Sequence, residues 1–332
     1  MFGFRPTRRM PTLTGRNSSR LTLSDSPTIV SLIASATEIV CALGLRRNLI
    51  GVSHECDYPE DVKGLPTLSR PKLDPKQPGH EIDRRVRELV GDGLSVYAVD
   101  VETLQRLAPD LIITQDHCEV CAVSLKDLEA ATCSVTLKDT AICSLHPSSL
   151  EQVCLDFQRV ANAAGVSTRG HELVRAFRQR LDVLRQQTGA IRPKPRVACL
   201  EWLQPPMLAA GWVAELVEIA GGQPIVVDEQ RSFSTVTWEQ VGELDPDVVV
   251  VMPCGYPIEH SLLDLGDSTL QMNLRRLCAT SIGRLYIADG NAYFNRPGPR
   301  LADSAEILAA LIHPDRFTEL RSHHAQAFTA WA

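Results

Sequence analysis

A nine-residue pattern occurs twice. Glu102-Thr-Leu-Gln-Arg-Leu107-Ala-Pro109-Asp110 runs into the apolar stretch Leu-Ile-Ile-Thr, and Glu239-Gln-Val-Gly-Glu-Leu244-Asp-Pro246-Asp247 runs into four valines. In both copies leucine follows the glutamate by five positions, proline by seven and aspartate by eight. The copies start at 102 and 239, 137 residues apart. That is too long for stacked solenoid units, whose periods are about 20–50 residues. The repeat therefore predicts two lobes of one design, each containing a helix, a tight turn and a strand.

The apolar runs agree with that plan. Strands are predicted at Thr28–Ser35, Asn48–Ser53, Asp110–Gln115 and Ser134–Asp139, then at Arg196–Leu203, Asp247–Gly255 and Leu285–Gly290. They are short, continuous and rich in Val, Ile and Leu, and they alternate with helical patterns. Such runs belong to mostly parallel sheets covered by helices on both faces. A long helical region separates the two sets. Ser148–Gly165 has a serine at its start and a glycine at its end. In Ser167–Gly189, Leu173, Val174, Phe177, Leu181 and Leu184 fall on one face.

Charge and hydropathy exclude some functions. The net charge is -6, which gives no electrostatic footprint for nucleic acid. No uninterrupted apolar run reaches the ~18 residues of a membrane span. The first 26 residues carry Arg5, Arg8, Arg9, Arg16 and Arg20, and no acid before Asp25. Without a continuous apolar stretch they read as a disordered basic arm, and the chain as cytoplasmic.

In open parallel sheets, ligands bind beyond the carboxyl ends of strands. His54, Glu55 and Cys56 follow the second predicted strand. Gln115, His117, Cys118 and Cys121 end or follow the third. Cys254 and Tyr256 follow the strand of the second repeat, and Phe294, Asn295 and Arg296 follow the last. His117 and Cys254 each lie seven residues past the shared aspartate, so the two rims should correspond. Ten cysteines are present. Cys41, Cys133, Cys143, Cys154, Cys199 and Cys278 sit in apolar stretches and read as small buried hydrophobes. Cys56, Cys118, Cys121 and Cys254, with His54 and His117, could instead hold zinc or an iron–sulfur cluster. Cys118-x-x-Cys121 could also serve a thiol-dependent enzyme.

The segments SLIASATEIVCALGL, GVSHECDYP, LAPDLIITQ, EWLQPP, AGG and FNRPGPRLADSAEILAALIHP together resemble a known family. It is the periplasmic-binding-protein type with a helical backbone, in its cobalamin-binding branch, which serves ABC transporters. The resemblance runs from about Pro27 to Phe317. It implies two three-layer α/β/α lobes joined by one long helix, here within 166–190, with lobes at 27–165 and 191–317 and a tail at 318–332. It implies a non-enzymatic binding protein for cobalamin or a related metal chelate, with His54 or His117 available as an axial ligand. It implies aromatic contacts from Tyr97, Trp202, Trp212 and Phe233. Glu102 and Glu239 match the glutamates that dock onto an ABC permease. Both also fall in first helical turns, where an acid complements the helix dipole, and Thr237-x-x-Gln240 reads as a capping box.

Overall fold

The computed structural model describes residues 26–91, 96–115, 140–228, 233–277, 279 and 282–331. Residues 1–25 of the basic arm, the strand predicted at Ser134–Asp139, and His117, Cys118 and Cys121 lie outside them.

In the N-terminal lobe, β1 (Ile29–Ser31), β2 (Leu49–Val52), β5 (Leu111–Gln115) and β6 (Ala141–Leu145) form a wholly parallel sheet in the order β2-β1-β5-β6. A two-stranded antiparallel ribbon, β3 (Ser69–Pro71) with β4 (Tyr97–Val99), stands beside it. Among the described residues the lobe's helices are α1 (Ala34–Ala42), α2 (Gly79–Gly91), α3 (Val101–Leu107) and α4 (Leu150–Ala163). Helix α5 (Ser167–Thr188) then leads to the second lobe. Ser149 caps α4 by accepting from the Gln152 N–H.

Among the described residues the C-terminal sheet has seven strands: β7 (Arg196–Leu203), β8 (Pro206–Ala209), β9 (Gln223–Pro224), β10 (Phe233–Thr235), β11 (Val248–Val251), β12 (Leu285–Ala288) and β13 (Phe328–Ala330). Their order is β10-β8-β7-β11-β12-β13, with β9 beside β7. The centre, β7-β11-β12, is parallel, and β8, β10 and β13 are antiparallel additions. Around it lie α6 (Gly211–Ile219), α7 (Trp238–Glu243), α8 (Ile258–Asp264), α9 (Ser268–Arg275), α10 (Leu301–Ile312) and α11 (Thr318–His323). The predicted tail is thus α11 and an edge strand. His324 of this segment is buried and meets Glu306 at 3.0 Å.

Alternating side chains give each sheet two buried faces. Val248 and Val250 join one cluster while Val249 and Val251 join another, and Leu111 and Ile113 oppose Ile112 in the same way. The inner cluster is continuous across both lobes. It runs from Ile29, Leu111 and Phe157 through Phe177, Leu181 and Leu184 of α5 to Val197, Val248 and Leu308. Helix α10 is buried except at Asp303 and Glu306, and both of these acids hold Arg180 of α5. Lobes sharing a packed core should move little against each other.

The repeat proves to be a structural unit. Helices α3 and α7 end in residues with left-handed backbone at equal offsets, Ala108 (φ 42°) and Asp245 (φ 46°). Each repeat aspartate then holds the start of the neighbouring parallel strand. Asp110 accepts from the Thr28 N–H at 2.9 Å, before β1. Asp247 accepts from the Arg196 N–H at 2.7 Å, opening β7. This explains the spacing: proline stops the helix and aspartate supplies the acceptor that the first strand residue lacks.

Candidate functional site

The carboxyl ends of β2, β7, β11 and β12 bring residues of both lobes together. The floor of this region is an ionic network that crosses between lobes. Arg296, past β12, is buried and pairs with Asp57 of the β2 loop at 2.5 and 3.2 Å. It also donates to the Glu55 carbonyl at 3.1 Å and to Asn291 Oδ1 at 2.9 Å. Asn291 in turn donates to Asp57 at 3.1 Å. One turn on, Arg300 grips Glu38 of α1 through two bonds of 3.0 and 2.5 Å. Arg300 lies over the Tyr58 ring at 4.1 Å, and Arg296 stands 3.6 Å from Glu38. Burial pushes the Glu38 carboxyl above the usual range, against the pull of both arginines. Burial acts the same way on Asp57, but the hydrogen bond and charge of Arg296 outweigh it and hold Asp57 low.

The chain is forced tightly around this floor. Phe294 adopts φ 61°, a conformation that costs about 1–3 kcal/mol for a bulky residue unless its surroundings fix it. Here the Trp212 indole donates to its carbonyl at 2.8 Å, and its own N–H donates to Ser304 at 3.1 Å. At Gly290 an added Cβ would sit 2.1 Å from the Pro253 carbonyl oxygen, so only glycine lets the β11 and β12 loops touch.

Above the floor stand two walls. On the N-terminal side, His54 and Tyr97 are 5.2 Å apart. His54 Nδ1 meets Ser69 Oγ at 2.8 Å, and Tyr97 donates to Glu55 at 3.3 Å. Burial lowers the His54 pKa, which favours neutral imidazole. Burial raises Glu55, opposed by Arg296 and Tyr97. On the C-terminal side, Tyr256 stacks on His260 at 3.8 Å and meets Trp202 edge-on at 5.2 Å. Phe233 is exposed at the start of β10. The Tyr256 backbone carbonyl accepts from the Asn291 N–H, which ties this wall to the floor.

Several expectations need correction. The Cys56 thiol is buried and contacts Thr37 Oγ1 at 3.0 Å and Ser53 Oγ at 3.2 Å. Burial raises its pKa, and its side-chain partners are these two core hydroxyls. Cys254 is exposed. Among the described residues no three His, Cys, Asp or Glu are placed to hold a metal ion, so the zinc or iron–sulfur reading lacks support. Phe294 has no exposed surface and is core, not a ligand contact. Arg296 has its donors committed to the floor. Trp212 is half-buried against the inner core, and Gln115 is buried at the end of β5. Glu38, Asp57, Asn291 and Arg300 were not singled out from the sequence. Only the arginines of the Arg-Pro-Gly-Pro-Arg run could have drawn notice there.

Comparison with known proteins fits this geometry. A family model described as periplasmic binding protein matches residues 29–275, most of the chain. The chain belongs to this family. An uncharacterised ABC transporter substrate-binding lipoprotein of Bacillus subtilis (strain 168) is 24% identical over 315 residues, which is 93% of this chain and 87% of that protein. A vitamin B12-binding protein of Yersinia pestis (strain Pestoides F) is 25% identical over 282 residues, 84% of each. Among solved structures, the periplasmic vitamin B12-binding protein of Vibrio cholerae aligns with a TM-score of 0.63 at 21% identity, covering 86% of this chain and 97% of that one. An apo periplasmic heme-binding protein of Roseiflexus sp. RS-1 aligns at 0.65 and 23% identity, covering 88% and 99%. These establish the two-lobed fold. They also overturn the cytoplasmic placement, because the relatives are a lipoprotein and periplasmic proteins. Among the described residues no helix is long and apolar enough to cross a membrane.

Proposed function

We propose that this periplasmic binding protein captures a corrinoid between its lobes and presents it to an ABC permease. The observation that carries the proposal is the pairing of two walls over one buried ionic floor. His54, Glu55 and Tyr97 stand on one side, and Trp202, packed against the buried Tyr256 and its stacked partner His260, on the other. Such a site offers flat aromatic surface for a large planar macrocycle and a few polar groups to orient it. His54 is suited to reach the metal. Its Nδ1 is engaged by Ser69 at 2.8 Å and its Nε2 lies 3.9 Å from Glu55, and a ligating imidazole is commonly fixed through its other nitrogen in this way.

The vitamin B12-binding and heme-binding relatives support a metal chelate as cargo, and their placement supports work outside the cytoplasmic membrane. Glu102 and Glu239 suit permease docking. Each lies in the first turn of its lobe's repeat helix, and both are exposed. Their pseudo-equivalent positions would present one acid per lobe to a two-fold partner.

Titration calorimetry with cyanocobalamin, hydroxocobalamin and hemin tests this reading. One corrinoid should bind with a stoichiometry of one, and Tyr97→Ala should weaken it about tenfold or more, as lost aromatic anchors do. No saturable heat with any corrinoid would overturn the proposal. Saturation by hemin alone would transfer it to a haem carrier.

A further inference from the structure

Helix α2 crosses from one lobe to the other by its first residue. Of its thirteen residues only Gly79 is buried, although Ile82, Val86, Leu89 and Val90 give it an apolar side that stays half-covered. The burial of Gly79 comes from the opposite lobe. Its N–H donates to both carboxylate oxygens of Asp264, the last residue of α8, at 3.1 and 3.3 Å. A Cβ at this position would stand 2.6 Å from Asp264 Oδ2, and 3.6 Å from both the Trp202 ring and the Tyr256 hydroxyl. A side chain here would displace the Asp264 carboxylate from the helix end.

Three further observations suggest that the contact opens. Outside Gly79 the seam is hollow. A groove of about 440 Å3 separates His80 and Asp83 of α2 from the β7–β8 turn (Leu203–Pro206), Trp238 of α7, and Thr269, Leu270 and Asn273 of α9. Beside Gly79, the Tyr256 hydroxyl is buried with no hydrogen-bond partner among the described residues, which is costly unless another state satisfies it. The floor and the Leu150 N–H, held by Glu215 at 3.0 Å, join the lobes elsewhere, so α2 can lift without parting them.

We propose that α2 is a lid over the C-terminal wall of the cleft, latched to the other lobe by Gly79 and Asp264. Release exposes Trp202 and Tyr256 and frees the tyrosine hydroxyl for a ligand or water. One charge-assisted hydrogen bond is of the strength that opens by local fluctuation. This reaches beyond the identity of the cargo, and its test needs none.

The experiment is hydrogen-exchange mass spectrometry of the α2 peptide together with hydroxyl-radical footprinting of Trp202 and Tyr256, on the unliganded protein. Asp264→Ala should speed exchange in α2 by ~10- to 100-fold, the worth of one hydrogen bond to a charged group, and raise oxidation of both aromatics, with β7 and β11 unchanged. Asp264→Asn keeps one neutral carboxamide acceptor, a weaker bond, and should fall between wild type and Asp264→Ala. Gly79→Ala discriminates by sign. Alanine favours an isolated helix and would slow exchange if only propensity mattered, whereas breaking the latch speeds it. Unchanged exchange in Asp264→Ala, or slower exchange in Gly79→Ala, would overturn the proposal.

Discussion

Arg300→Ala tests whether the buried floor joins the lobes. The Glu38 side chain is 2% exposed and that of Arg300 is 12%, so solvent screens the pair little. Removing one member of a buried pair typically costs about 3–5 kcal/mol, because the other charge is left uncompensated. Arg296 remains 3.6 Å from Glu38, which places the loss at the low end, about 3 kcal/mol. The stacking of Arg300 on Tyr58 at 4.1 Å adds about 0.5–1 kcal/mol. The expected total at pH 7.5 is about 3–4 kcal/mol, more than a hundredfold in the unfolding constant. Urea unfolding followed by far-UV circular dichroism measures it. The pH dependence identifies the cause. Glu38 already has a raised pKa from burial, and losing Arg300 raises it further. For an acid raised by folding, stability is fullest below the unfolded pKa, near 4.5, and falls as pH climbs through the folded value. The penalty of Arg300→Ala should therefore shrink to roughly the stacking loss below pH 4.5 and grow towards neutrality. A cost under 1 kcal/mol at pH 7.5, or one independent of pH, would refute the argument. Glu38→Leu with Arg300→Leu should be far milder than the single change, since apolar replacement of a buried pair is often near neutral.

Other outcomes follow from the same geometry. Asp110→Ala and Asp247→Ala each remove a hydrogen bond from the neighbouring strand's first residue, and each should lower stability by about 1–2 kcal/mol in urea titrations. Gly290→Ala drives a methyl into backbone, 2.1 Å from the Pro253 oxygen. It should cost at least about 2–3 kcal/mol, read as a lowered thermal midpoint. Glu102→Ala and Glu239→Ala change exposed positions and should alter stability by less than about 0.5 kcal/mol. In a reconstituted transporter the pair should nevertheless reduce ligand-dependent ATPase stimulation.

The sequence by itself determined six of the strands, the two-lobe plan and the long helix. β7 matches its predicted span, and β1, β2, β5, β11 and β12 fall inside theirs. Local pattern suffices there, because a strand buried on both faces must be apolar at every position. The Thr237–Gln240 capping box formed as predicted, and the repeat was visible because its proline and aspartate act within nine residues. The site was legible only as strand ends. His54 and Tyr97 stand side by side, and Tyr256 is buried against Trp202 and His260. Cys56, Phe294 and Arg296 follow strands equally well, yet point into core or floor. A residue's direction at a strand end depends on its tertiary neighbours, such as Thr37 and Ser53 around Cys56. Only the tertiary structure could join Glu38 to Arg300 across 262 residues, or Gly79 to Asp264 across 185. No local periodicity encodes a pairing between lobes. The partners meet because two separately patterned sheets share one inner core, which brings their carboxyl edges within hydrogen-bonding distance.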